Sequence, residues 1–225
     1  MREYGQFCPV AQAMEVIGER WTLLVIRELL AGSSRFSEVQ RGVPLMSKSM
    51  LSQRLKSLID AGVVERIKTQ GGRNEYTVTE AGEELRPIVM ACGVWGLRWA
   101  RRPLNKKNVD VGLLMWDVRR RIAVDRLPDR EVVVQFEFRG AKRGMNRFWL
   151  IMNCDEVDLC ISNPGRETDL QLKTDPQTLA QVWMGEVPWS RAVRSGAISL
   201  EGPRRLARAF PGWLQLNPFA GVERP

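Results

Sequence analysis

Three polar residues recur at helical spacing between Ser47 and Gly62. Ser49, Gln53 and Lys56 stand four and three residues apart, so a helix would place them on one face. Hydroxyl, amide and ammonium groups are those that hydrogen-bond to the base edges and phosphates of nucleic acid. An ordinary solvated helix face has the same composition, so the neighbouring elements must decide between the two interpretations.

The opposite side of this stretch is apolar. Leu51, Leu55, Leu58 and Ile59 recur at i, i+4, i+7 and i+8, which predicts an amphipathic helix with Ser47 as N-cap and Gly62 at its C-terminal end. With its neighbours, this helix gives the following candidate DNA contacts: Arg35, Ser47, Lys48, Ser49, Ser52, Gln53, Arg54, Lys56, Lys68 and Arg73. Among them, Ser49, Gln53 and Lys56 are predicted to read base edges, and Lys48 and Arg54 to contact phosphates.

The elements on either side favour the nucleic-acid interpretation. A short helix is predicted at residues 35–41 and a turn at 42–46. Together with the helix that follows Ser47, they predict a helix-turn-helix. Two β-prone segments follow, at 63–69 and 75–78, around a turn that contains Gly-Gly. A hairpin directly after a recognition helix indicates a winged helix.

The first half contains three further predicted helices, and two of them are predicted to join two subunits. The first begins at Pro9 and ends at Gly18, and a second covers residues 20–31. A longer helix runs from Thr79 to about Arg101, with Pro87 either bending it or separating two segments. Its apolar stripe is too long for a small domain to bury, so together with the first helix it predicts a homodimer interface; the stripe comprises Leu85, Ile88, Val89, Cys92, Trp95 and Trp99.

Composition excludes several classes of protein. The 34 Lys and Arg exceed the 26 Asp and Glu, a net charge of +8 that favours polyanionic partners such as double-stranded DNA. The chain has no histidine and no CxxC pair, so we expect no metal, no cofactor and no enzyme activity. It also has no apolar run of membrane-spanning length and no export signal, which predicts a cytoplasmic protein with reduced thiols and no membrane partner.

Several motifs of the first half occur together in a fixed order. They are Cys8-Pro9-Val10, Gly18-Glu19-Arg20-Trp21-Thr22-Leu23-Leu24, Arg35-Phe36-Ser37-Glu38-Val39, the Ser47 to Arg66 segment, Glu75-Tyr76-Thr77-Val78-Thr79-Glu80-Ala81-Gly82 and Trp95-Gly96. Together they resemble the HxlR family of bacterial winged-helix transcriptional regulators. The resemblance covers residues 6–100 and implies a nucleoid-associated homodimer on a pseudo-palindromic operator, with the Ser47 helix in the major groove and the wing beside it.

Cys8 has two interpretations. At a helix N-terminus, unpaired amides and the helix dipole would stabilise a thiolate and make the thiol a redox or electrophile sensor. A resolving partner would then be Cys92 or Cys8 of the other subunit. The alternative is a structural thiol near the dimer interface.

The second half begins after a basic, proline-containing segment. We therefore divide the chain into a DNA-binding and dimerisation domain at 1–101, a linker at 102–108 and a second domain at 109–225. A helix is predicted at 109–124. Strand-like segments at 132–138, 147–152, 157–162 and 168–174 predict an antiparallel meander with one solvent-exposed face.

The late residues of this half resemble the sterol-carrier-protein fold. The resemblance rests on Thr174-Asp175-Pro176-Gln177-Thr178-Leu179, on Gly185, and on the run from Ala192 to Gly202. It implies an α+β domain with an antiparallel-rich sheet of about five strands, covered by helices around an apolar cavity. Candidate pocket residues, which could equally be plain core, are Phe136, Phe138, Trp149, Ile151, Trp183, Met184 and Trp189.

Three functions follow from these patterns. The first is a sequence-specific DNA-binding regulator, acting as a repressor, whose second domain responds to an apolar small molecule. The second is a regulator switched through Cys8. The third belongs to another class, a lipid or apolar-ligand carrier that does not bind DNA, and the basic residues from Lys48 to Arg73 count against it.

Overall fold

A computed structural model describes residues 4–100, 104 and 109–223. These residues form two compact units that divide between Gly96 and Leu97. Apart from Leu104, the predicted linker at 102–108 lies outside the described residues. No helix in the described part of the chain is both long enough and apolar enough to cross a membrane.

The first unit is a helix-turn-helix with a two-stranded wing. Val25, Ile26, Leu51, Leu55 and Leu58 are buried at its centre. Its elements are α1 (Pro9–Ile17), α2 (Thr22–Leu30), α3 (Phe36–Gly42), α4 (Lys48–Asp60), β1 (Val64–Lys68), β2 (Asn74–Val78), α5 (Glu80–Glu83) and α6 (Arg86–Trp95). The two units divide within a π-helical turn (Gly96–Ala100).

The prediction that the second helix begins at residue 20 is wrong by two residues. Trp21 has φ +78°, which a helical residue cannot adopt, and α2 begins at Thr22. The Arg20 guanidinium lies 5.2 Å from the centre of the Trp21 ring. Trp21 also packs against the hydrophobic core of this unit, and this tertiary contact sets the helix start against the preference of a bulky residue for negative φ.

The long helix predicted from Thr79 is divided. Thr79 caps α5 by accepting a hydrogen bond from the Gly82 N–H at 3.2 Å, and α5 ends at Glu83. Pro87 lies in the first turn of α6, where its missing N–H costs nothing. Of the two predicted outcomes for Pro87, separation into segments is the one observed.

The second unit contains a five-stranded mixed sheet with helices. Phe136, Phe148, Leu150 and Leu172 are fully buried in its core. Its elements are α7 (Val111–Arg119), a 3-10 turn (Val124–Arg126), β3 (Val132–Phe138), β4 (Arg147–Met152), β5 (Val157–Cys160), β6 (Leu170–Thr174), α8 (Pro176–Trp183), α9 (Trp189–Arg194), β7 (Ser199–Glu201) and α10 (Arg204–Trp213).

The predicted antiparallel meander holds only for β3, β4 and β5. The strand order is β5-β4-β3-β6-β7, and β6 pairs with β3 in parallel. Asp169, just before β6, fixes this pairing, because its carboxylate accepts hydrogen bonds from the Val133 N–H at 2.9 Å and from Arg130 at 2.7 Å. Burial raises the pKa of Asp169, but these hydrogen bonds outweigh it and hold the pKa below its ordinary value.

Candidate nucleic-acid interface

Both ends of α4 are closed by local hydrogen bonds. The Ser47 hydroxyl accepts from the Met50 N–H at 3.2 Å, which confirms the predicted N-cap. At the other end Gly62 has φ +71°, and the N–H groups of Gly62 and Val63 donate to the carbonyls of Ile59 and Leu58 at 2.9 and 3.0 Å. This pair of bonds is a Schellman motif, and it turns the chain directly into β1.

Burial of the apolar stripe fixes the rotation of α4 about its axis. Leu51, Leu55 and Leu58 are at most 1% exposed. The helix can therefore present only its opposite face to solvent. The exposed residues of that face are Ser47, Lys48, Ser49, Met50, Ser52, Gln53, Lys56 and, in the last turn, Asp60.

The turn between α3 and α4 is held by polar contacts. The Gln40 side-chain amide donates to the Met46 carbonyl at 2.7 Å. On the other side of α3, Gly42 lies against Glu28, a fully buried residue of α2 that pairs with Arg27 at 2.6 Å. The first contact holds the turn that joins α3 to α4, and the second packs α3 on α2. A helix-turn-helix requires such fixed positions in order to insert one helix into a groove.

The wing is a short basic hairpin. In its turn Gly72 has φ +71°, and its N–H donates to the Thr69 carbonyl at 2.8 Å. Lys68 and Arg73 are exposed next to this turn, as the sequence predicts. Arg66 is also exposed, and it was not among the predicted contacts. Its position two residues before Lys68, on the same face of β1, was the signal available in the sequence.

Arg54 does not lie on the exposed face with the other candidates. Its guanidinium pairs with Glu19, and its side chain is only 12% exposed. The sequence contains the reason, because Arg54 follows Leu51 by three residues and precedes Leu58 by four, so it borders the buried stripe. The Arg35 side chain, by contrast, is 53% exposed, and its Nε lies 3.5 Å from Oε1 of Glu75 in the wing.

The electrostatic character of this surface comes from cations that lack acidic partners. Within α4 and the wing, five exposed basic side chains have neither an ion pair nor a hydrogen bond among the described residues, so they are available to a polyanion. They are Lys48, Lys56, Arg66, Lys68 and Arg73. Because these residues lie on both α4 and the wing, two adjacent elements of the protein could contact one duplex.

Known proteins resemble the first unit. The sequence profile described as HxlR-like helix-turn-helix matches residues 16–103. YvaP of Bacillus subtilis, an uncharacterized HTH-type transcriptional regulator, is 38% identical over 98 residues, which are 42% of this chain and 91% of YvaP. The chain belongs to the HxlR-like helix-turn-helix family. It is therefore an HTH-type transcriptional regulator and not an enzyme, and membership of this family implies DNA binding.

Other transcriptional regulators match a similar share of the chain. Rv3095 of Mycobacterium tuberculosis, also an uncharacterized HTH-type transcriptional regulator, is 38% identical over 98 residues, and the match covers 60% of its length. The reduced form of the transcriptional regulator YodB from B. subtilis is 31% identical with a TM-score of 0.38, and the match covers 43% of this chain and 97% of YodB.

The apolar residues predicted to join two subunits are exposed in the single chain. Phe7 and Val10, at the start of α1, are 96% and 69% exposed, and Trp95 at the end of α6 is 62% exposed. Cys8 caps α1 and is half-buried, and its side chain makes no capping hydrogen bond. Cys92 on α6 is exposed, and both thiols are free.

The candidate pocket residues of the second unit separate into two groups. Phe136, Phe138 and Trp183 belong to the core, and Met184 and Trp189 pack against it. In the pairing of β3 with β4, Phe136 stands opposite Phe148, whereas Gln135 stands opposite Trp149. Alternation along a strand therefore directs Trp149 and Ile151 to the other face of the sheet. The seven residues therefore cannot all line one pocket.

Proposed function

We propose that this regulator acts as a homodimeric repressor on a pseudo-palindromic operator, with α4 in the major groove and the β1–β2 wing against the neighbouring backbone. The proposal rests on the orientation of α4 about its own axis. Its leucines are buried, and the polar face that remains exposed has hydroxyl, amide and ammonium groups next to a basic hairpin.

Within this proposal the residues have distinct roles. Ser49, Gln53 and Lys56 read base edges, because they are exposed on the side of α4 opposite its buried leucines. Arg54 instead holds α4 to Glu19 and so positions the helix. The contacts assigned to phosphate and sugar are Arg35, Ser47, Lys48, Ser52, Arg66, Lys68 and Arg73.

Selection of duplexes from a random pool, followed by anisotropy titrations on the selected sequence, tests the assignment of bases. Lys56→Ala should cost about 1–3 kcal/mol at one base-pair position and change which base is preferred there. Arg73→Ala should weaken binding to all sequences alike and lower the slope of log K against log salt by about 1. If Lys56→Ala selected the native sequence with native discrimination, α4 would not read bases through Lys56.

A second proposal is that an apolar molecule bound in the second unit modulates DNA binding. Trp183 is buried in the core of this unit, and its indole N–H has no hydrogen-bond acceptor among the described residues. A buried indole N–H ordinarily has a partner. A ligand with an apolar body and one hydrogen-bond acceptor, such as a fatty acid, would supply it. The five-stranded sheet with helices fits the sterol-carrier resemblance in architecture.

Binding of a fluorescent fatty acid tests this second proposal. Trp183→Phe keeps the ring and removes only the N–H, so the dissociation constant should rise about tenfold, as expected for one lost hydrogen bond. Trp149→Phe, on the other face of the sheet, serves as the matched control and should bind as the native protein does. Equal affinities for all three proteins would contradict a role for the Trp183 N–H, and no binding to any of them would contradict the ligand proposal.

A further inference from the structure

The last helix, α10, presents a stripe of arginines. Leu206, Phe210 and Trp213 recur at i, i+4 and i+7 and are at most 8% exposed. The Phe210 ring lies 5.7 Å from the Trp189 ring and 6.1 Å from the Phe136 ring, which fixes the rotation of α10 on the core. The exposed side of the helix consequently carries the arginine face, defined as Arg204, Arg205 and Arg208.

The charge of the arginine face is not neutralised within the described part of the second unit. None of its three guanidinium groups has an ion pair or a hydrogen bond there, and residues 202–222 contain no Asp or Glu. The nearest acidic residue in the sequence, Glu201, is engaged by Lys173 at 3.0 Å. The preceding helix, α9, adds two more exposed arginines without a partner, at 191 and 194.

The placement of these arginines works against the stability of α10. Arg204 and Arg205 are its first two residues, where the helix dipole presents positive charge, and the N-cap, Pro203, provides no side-chain hydrogen bond. Arg204 and Arg208 are also a like-charge pair at i and i+4, a spacing that brings them together. A bound anion would relieve both repulsions, whereas nothing inside the described unit does.

We propose that the arginine face docks on the phosphate backbone of duplex DNA, outside the contacts of α4 and the wing. This inference rests on the proposed function. Guanidinium groups bind phosphate oxygens in pairs, and a duplex carries one charge per about 1.7 Å of its axis. A membrane surface fits less well, because the large apolar side chains of α10 are all buried and none could insert into a bilayer.

The salt dependence of binding tests the docking. The probe is a random-sequence duplex of about four helical turns, about 40 bp, titrated by anisotropy at several salt concentrations. Arg204→Gln/Arg208→Gln should lower the slope of log K against log salt by about 1.8, because each lost phosphate contact removes about 0.9. The melting temperature should not fall, since the variant also loses the repulsions within α10.

Two double variants complete the design. Lys142→Gln/Arg143→Gln removes the same number of charges from an exposed loop of the same unit and should keep the native slope. Lys68→Gln/Arg73→Gln reports on the wing. A native slope in the α10 variant, with a reduced slope in the wing variant, would overturn the docking and leave the proposed function standing. A reduced slope in the α10 variant, with a native slope in the wing variant, would support the docking and contradict the wing contacts.

Three other outcomes would also overturn the docking. One is an equal loss of slope in the loop variant, which would indicate a general effect of net charge. Another is a native protein that does not bind the duplex at all, which would contradict the proposed function as well. The third is an α10 variant that keeps native DNA binding but no longer binds vesicles containing phosphatidylglycerol, which would assign the arginine face to a lipid surface.

Discussion

Replacing Trp95 by glutamate is expected to leave the regulator monomeric and to lower its affinity for an operator duplex about 100-fold or more, because the two half-sites would no longer be bound together. Trp95 exposes 62% of its surface at the end of α6. An isolated exposed tryptophan is unremarkable, but here α1 also exposes Phe7 and Val10. Exposed apolar surface of this kind on two helices is typical of a subunit interface.

Light scattering on Trp95→Glu gives the oligomeric state directly, and anisotropy on a selected operator gives the affinity. The control is Leu45→Glu, which places the same charge on an apolar residue that is 85% exposed in the turn before α4. The control should remain a dimer. A dimeric Trp95→Glu variant with native affinity would show that α6 does not join the subunits through this residue.

Replacing Gly42 by alanine should destabilise the first unit by about 3 kcal/mol. A Cβ atom at this position would lie 1.8 Å from the Glu28 carboxyl carbon. Glu28 is fully buried and paired with a partly exposed Arg27, so moving its carboxylate means breaking an ion pair whose acidic member is buried. Overpacking in a core alone typically costs about 1–3 kcal/mol, and the displaced charge adds to that cost.

Chemical denaturation of four proteins measures this clash. The proteins are the native chain, Gly42→Ala, Glu28→Ala and the double variant. Because Glu28→Ala opens the space that the new methyl group needs, the double variant should be more stable than the sum of the two single effects by about 0.5–3 kcal/mol. Gly96→Ala is the control, since a Cβ at Gly96 meets nothing within 4 Å and α6 ends there with helical dihedrals. Additive effects at residues 28 and 42 would contradict the steric explanation.

The elements of the first unit could be predicted where several local signals agreed. The α4 helix has an apolar stripe, an N-cap and a C-terminal glycine, and the structure has all three. The start of α2 could not be predicted, because the positive φ of Trp21 depends on its surroundings and not on its own preference. The burial of Arg54 depended on one distant partner, Glu19, which helix periodicity alone does not identify.

In the second unit, local patterns predicted strands but not their neighbours. β3 and β4 are consecutive and antiparallel, as alternation and a short turn suggest. The parallel pairing of β6 with β3 depends on Asp169 and on a connection that crosses the sheet, neither of which periodicity reveals. The register of β4 on β3 determines which face of the sheet Trp149 and Ile151 occupy, and the sequence does not specify this register.

The parallel pairing of β3 with β6 has a consequence for the order of folding. Val134 pairs with Leu170, 36 residues further along the chain, whereas the wing joins residues no more than 14 apart. Loop closure over a longer segment is slower, so the winged helix should form before the mixed sheet. Because the ribosome also releases it first, the emerging chain is expected to contain a folded winged helix while the sheet that follows still lacks its central pairing.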